Sequence, residues 1–85
     1  MNETMQAAVD ALRELMPQLG EFEEHVGDDE AVFTAGDTVF TVNRLGDSVV
    51  RVEGVNLARR CSAVSTATSP HQAGQAASYV FVSTA

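Results

Sequence analysis

The sequence predicts an α+β fold in which an N-terminal amphipathic helix packs on one face of a mostly antiparallel, meander-type sheet of about five to six strands. Three observations favour this class. A helical stripe of apolar residues opens the chain, short β-branched runs follow it, and Gly-Asp dipeptides separate those runs. Because helical and strand patterns are segregated along the chain rather than alternating, antiparallel pairing is expected.

The helix is predicted over residues 3–16, where apolar side chains recur at steps of three and four. The stripe consists of Met5, Ala8, Val9, Leu12, Leu15, Met16 and Leu19. Asn2 or Thr4 can cap the first turn, and Pro17 disfavours helical geometry at the residue before it. A helix with one apolar face has to bury that face, so we expect the stripe to form part of the core.

Tight turns are predicted at three Gly-Asp dipeptides, Gly27-Asp28, Gly36-Asp37 and Gly46-Asp47. Glycine adopts positive φ angles readily, and Asp fits the second position of a hairpin turn. The runs beside these turns are residues 21–26, 31–35, 38–45 and 48–55. Their spacing and composition predict a four-stranded antiparallel meander.

Residues 56–77 are ambiguous between helix and strand. Asn56 could cap a short helix, whereas residues 61–68 are rich in Ser and Thr, which disfavour helix interiors. Ser69 begins a capping-box pattern followed by proline, but a glycine soon afterwards weakens any helix there. We prefer a fifth strand, a short helical turn or loop, and a sixth strand over residues 78–84, which read S-Y-V-F-V-S-T.

Length and composition indicate a single domain over residues 1–85. The 12 acidic and 5 basic side chains give a formal net charge of -7, which argues against binding to nucleic acid or to an anionic membrane surface. One Cys excludes an internal disulfide and every multi-Cys zinc motif. No targeting or membrane-spanning segment is visible, so we expect a cytoplasmic protein.

The negative charge is concentrated near the start of the chain. Residues 1–30 contain nine acids and one Arg, whereas residues 61–85 contain no charged side chain. Six acids within ten residues form what we call the acidic segment: Glu21, Glu23, Glu24, Asp28, Asp29 and Glu30. On a strand and a turn, these side chains would attract a cationic groove that normally holds phosphates, so we predict a partner-binding surface here.

Two other interpretations of the acidic segment remain open. A charge of this size also serves solubility alone. Glu21, Glu23 and His25 would share one face of a strand, so a weak divalent cation site is conceivable. The spaced acids of an EF-hand are absent, and we therefore predict no metal and no other cofactor.

Cys61, His25 and His71 are the only residues that suggest nucleophilic catalysis. A thiolate nucleophile needs a base within hydrogen-bond reach, and no local signature of a cysteine hydrolase is present. We therefore predict no catalytic residue and no enzyme. Arg59 and Arg60 form the only adjacent basic pair, and without a Gly-rich phosphate loop we expect them to pair with acids or to pack their stems.

The predicted sixth strand carries apolar residues on both faces. If it lies at the edge of the sheet, it could pair with its twin in another copy, because no charged neighbour blocks that contact. This predicts a homodimer interface that includes Tyr79 and Phe81.

These observations favour a non-catalytic acidic protein-interaction domain that docks on a basic surface of a nucleic-acid-handling complex, without direct nucleic-acid contact. In size and charge the chain resembles small acidic inhibitors carried by phages, anti-CRISPR proteins among them. That resemblance implies an inhibitor. The alternative is a dimeric adaptor or secretion-type chaperone that binds a partner segment through its sheet. A small enzyme using Cys61 or a histidine is the third hypothesis.

Overall fold

Two helices pack on one face of a five-stranded antiparallel sheet in the computed structural model, which describes all 85 residues. The elements are α1 (Glu3–Leu15), a 3-10 turn (Met16–Leu19), β1 (Glu23–Val26), β2 (Glu30–Ala35), β3 (Thr38–Arg44), β4 (Val50–Asn56), β5 (Cys61–Ala67) and α2 (Pro70–Thr84). The strand order is β1-β2-β3-β4-β5, and every neighbouring pair is antiparallel. The predicted α+β class and the meander are confirmed, with five strands.

The first helix begins at the predicted cap, but Met16 keeps helical φ and ψ angles before Pro17, contrary to the expectation, and the chain continues into the 3-10 turn. Asn2 Oδ1 accepts a hydrogen bond from the backbone N–H of Met5 at 2.7 Å, which satisfies one of the free donors of the first turn. Asn2 Nδ2 also donates to the carbonyl of Asp47 at 2.6 Å, so the same side chain ties α1 to the β3–β4 turn. Pro17 lies in the 3-10 turn that follows, and Gly20 ends that turn with φ +95°.

The sheet has one covered face and one open face. Burial alternates along β2, β3 and β4, so every second side chain points toward the helices. The largest fully buried strand side chains are Phe33, Phe40, Val42, Val50 and Val52. Each contributes about 1.5–3 kcal/mol on burial. No element covers the opposite face, where the side chains are partly buried or exposed.

The predicted sixth strand is wrong, because residues 78–84 form the second half of α2. Ser69 Oγ accepts from the backbone N–H of Gln72 at 3.2 Å, and Pro70 occupies the first helical position. The buried stripe of this helix is Ala73, Ala76, Ala77, Val80, Phe81 and Thr84. Half of that stripe is alanine, so the helical period is weak in hydrophobicity and the strand-like composition of the last seven residues dominates the sequence signal.

Gly54 permits the close approach of α2 to β4. A Cβ atom at this position would lie 2.7 Å from Val80 Cγ1, 2.7 Å from Thr84 Oγ1 and 2.8 Å from Phe40 Cε1. The side chains of α2 therefore pack directly against the backbone of β4 at Gly54. Phe81 stacks on Phe40 beside this contact, with ring centroids 5.5 Å apart.

Buried hydrogen bonds hold the C-terminal end of α2 to β4. Asn56 Nδ2 donates to the carbonyl of Thr84 at 2.8 Å, and Asn56 Oδ1 accepts from the backbone N–H of Arg59 at 3.0 Å. Thr84 Oγ1 donates to the carbonyl of Val80 at 2.7 Å. No buried side-chain polar atom lacks a hydrogen-bond partner. Neither helix is long and apolar enough to cross a membrane.

Candidate protein-interaction surface

The acidic segment forms one margin of the sheet. β1 is an edge strand that pairs on one side with β2, and all four of its residues are exposed. The turn that joins β1 to β2 continues the same margin. All six acids of the segment are exposed to solvent. The six predicted partner-binding residues thus follow this margin. Glu21 precedes β1, Glu23 and Glu24 lie on it, and Asp28, Asp29 and Glu30 occupy the turn and the start of β2.

Alternation along β1 distributes these acids over two faces. Glu24 lies opposite the buried Phe33, so it shares the covered side of the sheet with the helices. Glu23 lies opposite Thr34 and points with His25 to the open side. Glu30, at the start of β2, is also on the open side. The segment therefore presents negative charge around the whole margin rather than on a single plane.

Two of the six acids form ion pairs with arginines. Arg13 Nε in α1 lies 3.0 Å from Glu24 Oε2, and Arg44 Nε at the end of β3 lies 2.6 Å from Asp29 Oδ1. The hydrogen bond to Glu24 raises the pKa of Arg13 above its ordinary value, and the hydrogen bond to Asp29 does the same for the pKa of Arg44. Both guanidinium groups therefore stay charged. They hold the carboxylates of Glu24 and Asp29 in place and neutralise their negative charge.

Four carboxylates of the segment have no ion-pair partner: Glu21, Glu23, Asp28 and Glu30. We call them the free acids. They lie on or beside a hydrogen-bonded hairpin, so their Cα positions are fixed while their charge stays uncompensated. A cationic partner would therefore meet a localised negative field at this margin rather than a neutralised one.

The structure adds Asp47 to this end of the molecule, which the sequence analysis did not include. Asp28, Asp29 and Asp47 line an open depression of about 380 Å³ together with Arg44 and the first two residues of the chain. The predicted meander already implied that Asp47 lies near Asp28 and Asp29, because the first and third turns of a meander lie at the same end of its sheet. The backbone N–H of Arg44 donates to the carbonyl of Asp29 at 2.8 Å and joins the two turns.

A second shallow depression, of about 360 Å³, lies at the other end of β1. It is lined by Glu21, Phe22, Glu23, Thr34 and Gly36. Phe22 is half-buried and packs against the core, so its exposed part offers an apolar contact between two free acids. An apolar centre with charged neighbours is a common arrangement at protein–protein interfaces.

Three rows of side chains cross the open face of the sheet. The first row is Glu23, Thr34, Val39, Val55 and Ser62; the second is His25, Val32, Thr41, Glu53 and Val64; the third is Glu30, Asn43, Arg51 and Thr66. Val and Thr predominate in the middle of these rows, and Arg51 and Glu53 form an ion pair at 3.1 Å. The free acids on the open side therefore border a weakly charged, β-branched surface.

The residues considered for nucleophilic catalysis are far apart. His25 and Cys61 lie on the two opposite edge strands, which are roughly 19 Å apart at about 4.8 Å per strand, and they are also offset along the strands because His25 shares its row with Val64. Cys61 Sγ lies 4.0 Å from the carbonyl of Thr84 at the end of α2, whereas His71 is in the first turn of that helix, roughly 20 Å away along its axis. The structure therefore brings neither histidine to the thiol. No three His, Cys, Asp or Glu side chains converge in a metal-binding group.

Arg59 and Arg60 form no ion pair with an acidic side chain, so the first of the two expected roles is wrong, while packing of their stems stays a prediction. They lie in the β4–β5 turn, at the end of the sheet opposite the β1–β2 turn. Arg59 Nη1 donates to the carbonyl of Ala85 at 2.6 Å, and Arg60 adopts a positive φ of 55°. Arg59 and Arg60 are therefore remote from the acidic segment along the strands as well as across them.

The strand on which the predicted dimer contact depended does not exist, because Tyr79 and Phe81 lie in α2. Phe81 is buried in the core, where it stacks on Phe40, so its ring is used within the fold. Tyr79 is 59% exposed. A role of Tyr79 in association remains a prediction, on a helix rather than on a strand.

No protein-family model matches the chain, and comparison with curated proteins and with solved structures gave no match.

Proposed function

We propose that this protein is a non-catalytic interaction domain that docks its acidic segment on a basic protein surface. The observation that carries the proposal is the set of free acids, Glu21, Glu23, Asp28 and Glu30, which are exposed, lie on or beside one hairpin and have no ion pair. Carboxylates fixed at such spacing attract a surface that otherwise binds phosphates, and they accelerate the encounter.

The partner would be a protein of a nucleic-acid-handling complex, contacted at its basic surface. Binding there would exclude the nucleic acid, so the domain would act as an inhibitor of the kind that small acidic phage proteins provide. Direct contact with nucleic acid is opposed by the net charge of -7.

The test compares two variants of equal net charge. The segment variant carries Glu21→Gln, Glu23→Gln, Asp28→Asn and Glu30→Gln. The control variant carries Glu3→Gln, Asp10→Asn, Glu14→Gln and Asp37→Asn, which are exposed acids elsewhere. Of these, Asp10 lies 3.9 Å from Arg13 Nη1. Titration calorimetry with an oligoarginine peptide at low salt measures the affinity of each protein.

We expect the segment variant to bind the peptide about tenfold or more weakly than wild type, and the control variant to change less than about threefold. Binding of wild type should also weaken steeply as salt rises, because the free acids are exposed and screened. Equal losses in the two variants would mean that only total charge matters and would contradict a docking site at the segment.

The inhibitor role has its own test. The wild-type protein and both variants serve as baits in parallel, and a partner is accepted when wild type and control retain it and the segment variant does not. The nucleic-acid affinity of that partner is then measured with and without the domain. A partner whose nucleic-acid binding is unchanged by saturating domain would contradict inhibition.

The open face supports a second candidate function, that of an adaptor or chaperone that binds a partner segment across the sheet. Val39 and Val55 lie side by side in the middle of this face and are only partly buried. Replacing both by Lys would abolish segment binding without touching the acidic segment. Retention of the captured partner by that double variant would exclude this candidate.

A further inference from the structure

The second edge strand of the sheet, β5, is unusually open to pairing. β5 pairs with β4 over all seven residues in an unbroken one-to-one register, so it contains no bulge. Its sequence, C-S-A-V-S-T-A, has no charged residue and no proline. Natural edge strands are normally protected by charge, proline, bulges or short length, and β5 has none of these.

β1, the other edge strand, has the opposite character. It spans four residues, of which Glu23, Glu24 and His25 are ionisable, and all four are exposed. Short length and like charges disfavour pairing of β1 with another copy of itself. Self-pairing at an edge of this sheet is therefore favoured at β5 alone.

The charge distribution determines what can occupy the edge of β5. At a net charge of -7, two copies repel each other unless they meet at a surface far from their acids. Residues 61–85, which form β5 and α2, contain no charged side chain. β1 lies four strand spacings away, roughly 19 Å, which exceeds the Debye length of about 8 Å at physiological salt.

We propose that β5 pairs antiparallel with β5 of a second copy to give a continuous ten-stranded sheet. The two-fold axis of this dimer passes between the Val64 residues of the two copies. Val64 is the central residue of β5 and is 49% exposed on the open face. In this register Val64 lies beside its own counterpart, and Ser62 lies beside the second copy's Thr66. The pairs are small or β-branched and of neutral charge, so they are self-complementary.

Two sets of charges lie near β5. Arg51 and Glu53 of β4 lie beside Thr66 and Val64 and form an ion pair with each other. The proposed register separates the other set, the arginines that precede the strand. Arg59 and Arg60 precede the strand, and an antiparallel pairing centred on Val64 places Arg60 beside the second copy's Thr68. Arg59 and Arg60 of one copy then lie at the opposite end of the β5–β5 interface from those of the second copy, roughly 20 Å or more away for strands of seven residues. The two acidic segments lie at the far margins of the joined sheet.

Tyr79 of α2 would add a contact from the helix layer to the proposed β5–β5 interface. His71, Gly74, Gln75 and Ser78 line the groove beside α1, so the opposite flank of α2 carries Gln72, Tyr79 and Ser83. Gln72 Oε1 accepts from the backbone N–H of Thr68 at 2.9 Å, which places that flank over the end of β5. Tyr79 is 59% exposed on this flank, so its ring is available to a second copy that pairs at β5.

The first experiment measures the mass of the protein in solution by sedimentation equilibrium over a wide concentration range. The test variant is Val64→Lys and the control is His25→Lys, which adds the same charge at the other end of the same side-chain row. We expect two chains for wild type and for the control. We expect an increase of about tenfold or more in the dissociation constant for Val64→Lys, because two lysines would face each other.

A wild-type protein that remains a single chain at the highest concentration would overturn the proposal. A Val64→Lys variant that dimerises as well as wild type would overturn it too, because the contact would then lie elsewhere. Circular dichroism of each variant checks that the fold is retained.

The register is tested by a disulfide across the axis. In a Cys61→Ser background, Val64→Cys should form a covalent dimer on mild oxidation, since the two facing Cα atoms are within disulfide range. His25→Cys in the same background should not. Failure of the Val64→Cys crosslink would overturn the two-fold axis through Val64.

The dimer and the proposed docking function fail independently. Salt should leave the dimer unchanged or strengthen it, because salt screens the repulsion between acidic copies, whereas salt should weaken binding to a basic partner. The segment variant should still dimerise, and Val64→Lys should still bind oligoarginine.

Discussion

At the scale of single residues, Gly54 and Gly74 differ in how much space surrounds them and therefore in their effect on stability. Gly54 lies under α2, and an added Cβ would meet three side-chain atoms within 2.8 Å. Gly74 lies inside α2, where an added Cβ would meet nothing within 4 Å. The first glycine is required by packing, whereas the second costs helix stability without a compensating contact.

Gly54→Ala is expected to lower the free energy of unfolding by about 1–3 kcal/mol, because α2 would have to move away from β4. Urea denaturation followed by circular dichroism measures the change. A loss below about 0.5 kcal/mol would mean that the helix lies less tightly on the strand than the distances indicate.

Gly74→Ala is the matched substitution and should act in the opposite direction. It should raise the free energy of unfolding by about 0.5–1 kcal/mol, since alanine favours the helical backbone. The same denaturation experiment applies. Destabilisation by this substitution would show that the groove between α1 and α2 is closed more tightly than described.

At the scale of secondary-structure elements, the middle of the chain could be predicted and the last element could not. The β3–β4 hairpin follows from β-branched runs, which are local features. Its connection is longer than the predicted tight turn, because it spans residues 45–49 and Gly46 has no positive φ. α2 depends on contacts that the sequence does not reveal, such as Phe81 on Phe40 and the space left by Gly54. Tertiary packing therefore overrides the strand propensity of residues 78–84.

β1 should be the least stable element of the sheet. All its residues are exposed, and its one side-chain link to the helices is the ion pair between Arg13 and Glu24. We expect β1 amides to exchange with deuterium faster than those of β3 or β4. Slow exchange in β1, comparable to β3, would contradict the exposed edge described here.

Arg13→Gln should accelerate exchange in β1 further, because it removes the link to α1. Arg51→Gln is the control, since it breaks an ion pair of similar exposure within β4. The comparison isolates the contribution of the α1–β1 contact. Equal effects of the two substitutions on β1 would show that the link adds nothing.

The N-terminal cap of α1 provides another prediction at this scale. Asn2→Ala removes the acceptor for Met5 and the bond to the carbonyl of Asp47. It should reduce the free energy of unfolding by about 1 kcal/mol. Asn2→Asp should restore part of that loss, because a carboxylate also caps a helix and favours the positive end of its dipole.

At the scale of the whole molecule, the sequence predicted that acids would cluster but not which of them would be neutralised. Arg13 pairs with Glu24 and Arg44 with Asp29 through contacts that only the packing of α1 on the sheet and the strand register create. The clustering itself followed from position in the chain, because consecutive residues of a hairpin stay together. The contribution of Asp47 required knowing which turns share an end.

The segment variant defined above should be at least as stable as wild type. Removing four negative charges relieves repulsion within the margin, so the free energy of unfolding should rise slightly at low salt and change little at high salt. Thermal unfolding at two ionic strengths tests this. A marked loss of stability would indicate that the free acids support the fold. The weaker oligoarginine binding of the segment variant would then reflect lost structure rather than a lost docking site.

The sheet order has a consequence for the rate at which the chain reaches its native state. Each strand pairs with the next one in sequence, so the hairpins can form by closing short loops in any order. Contact between α1 and α2, by contrast, joins segments whose centres, Val9 and Ala77, are about 68 residues apart, and it carries a larger closure entropy. Stopped-flow refolding should therefore be fast for so β-rich a chain, with mutations in the β3–β4 hairpin slowing folding and mutations between the helices mainly accelerating unfolding.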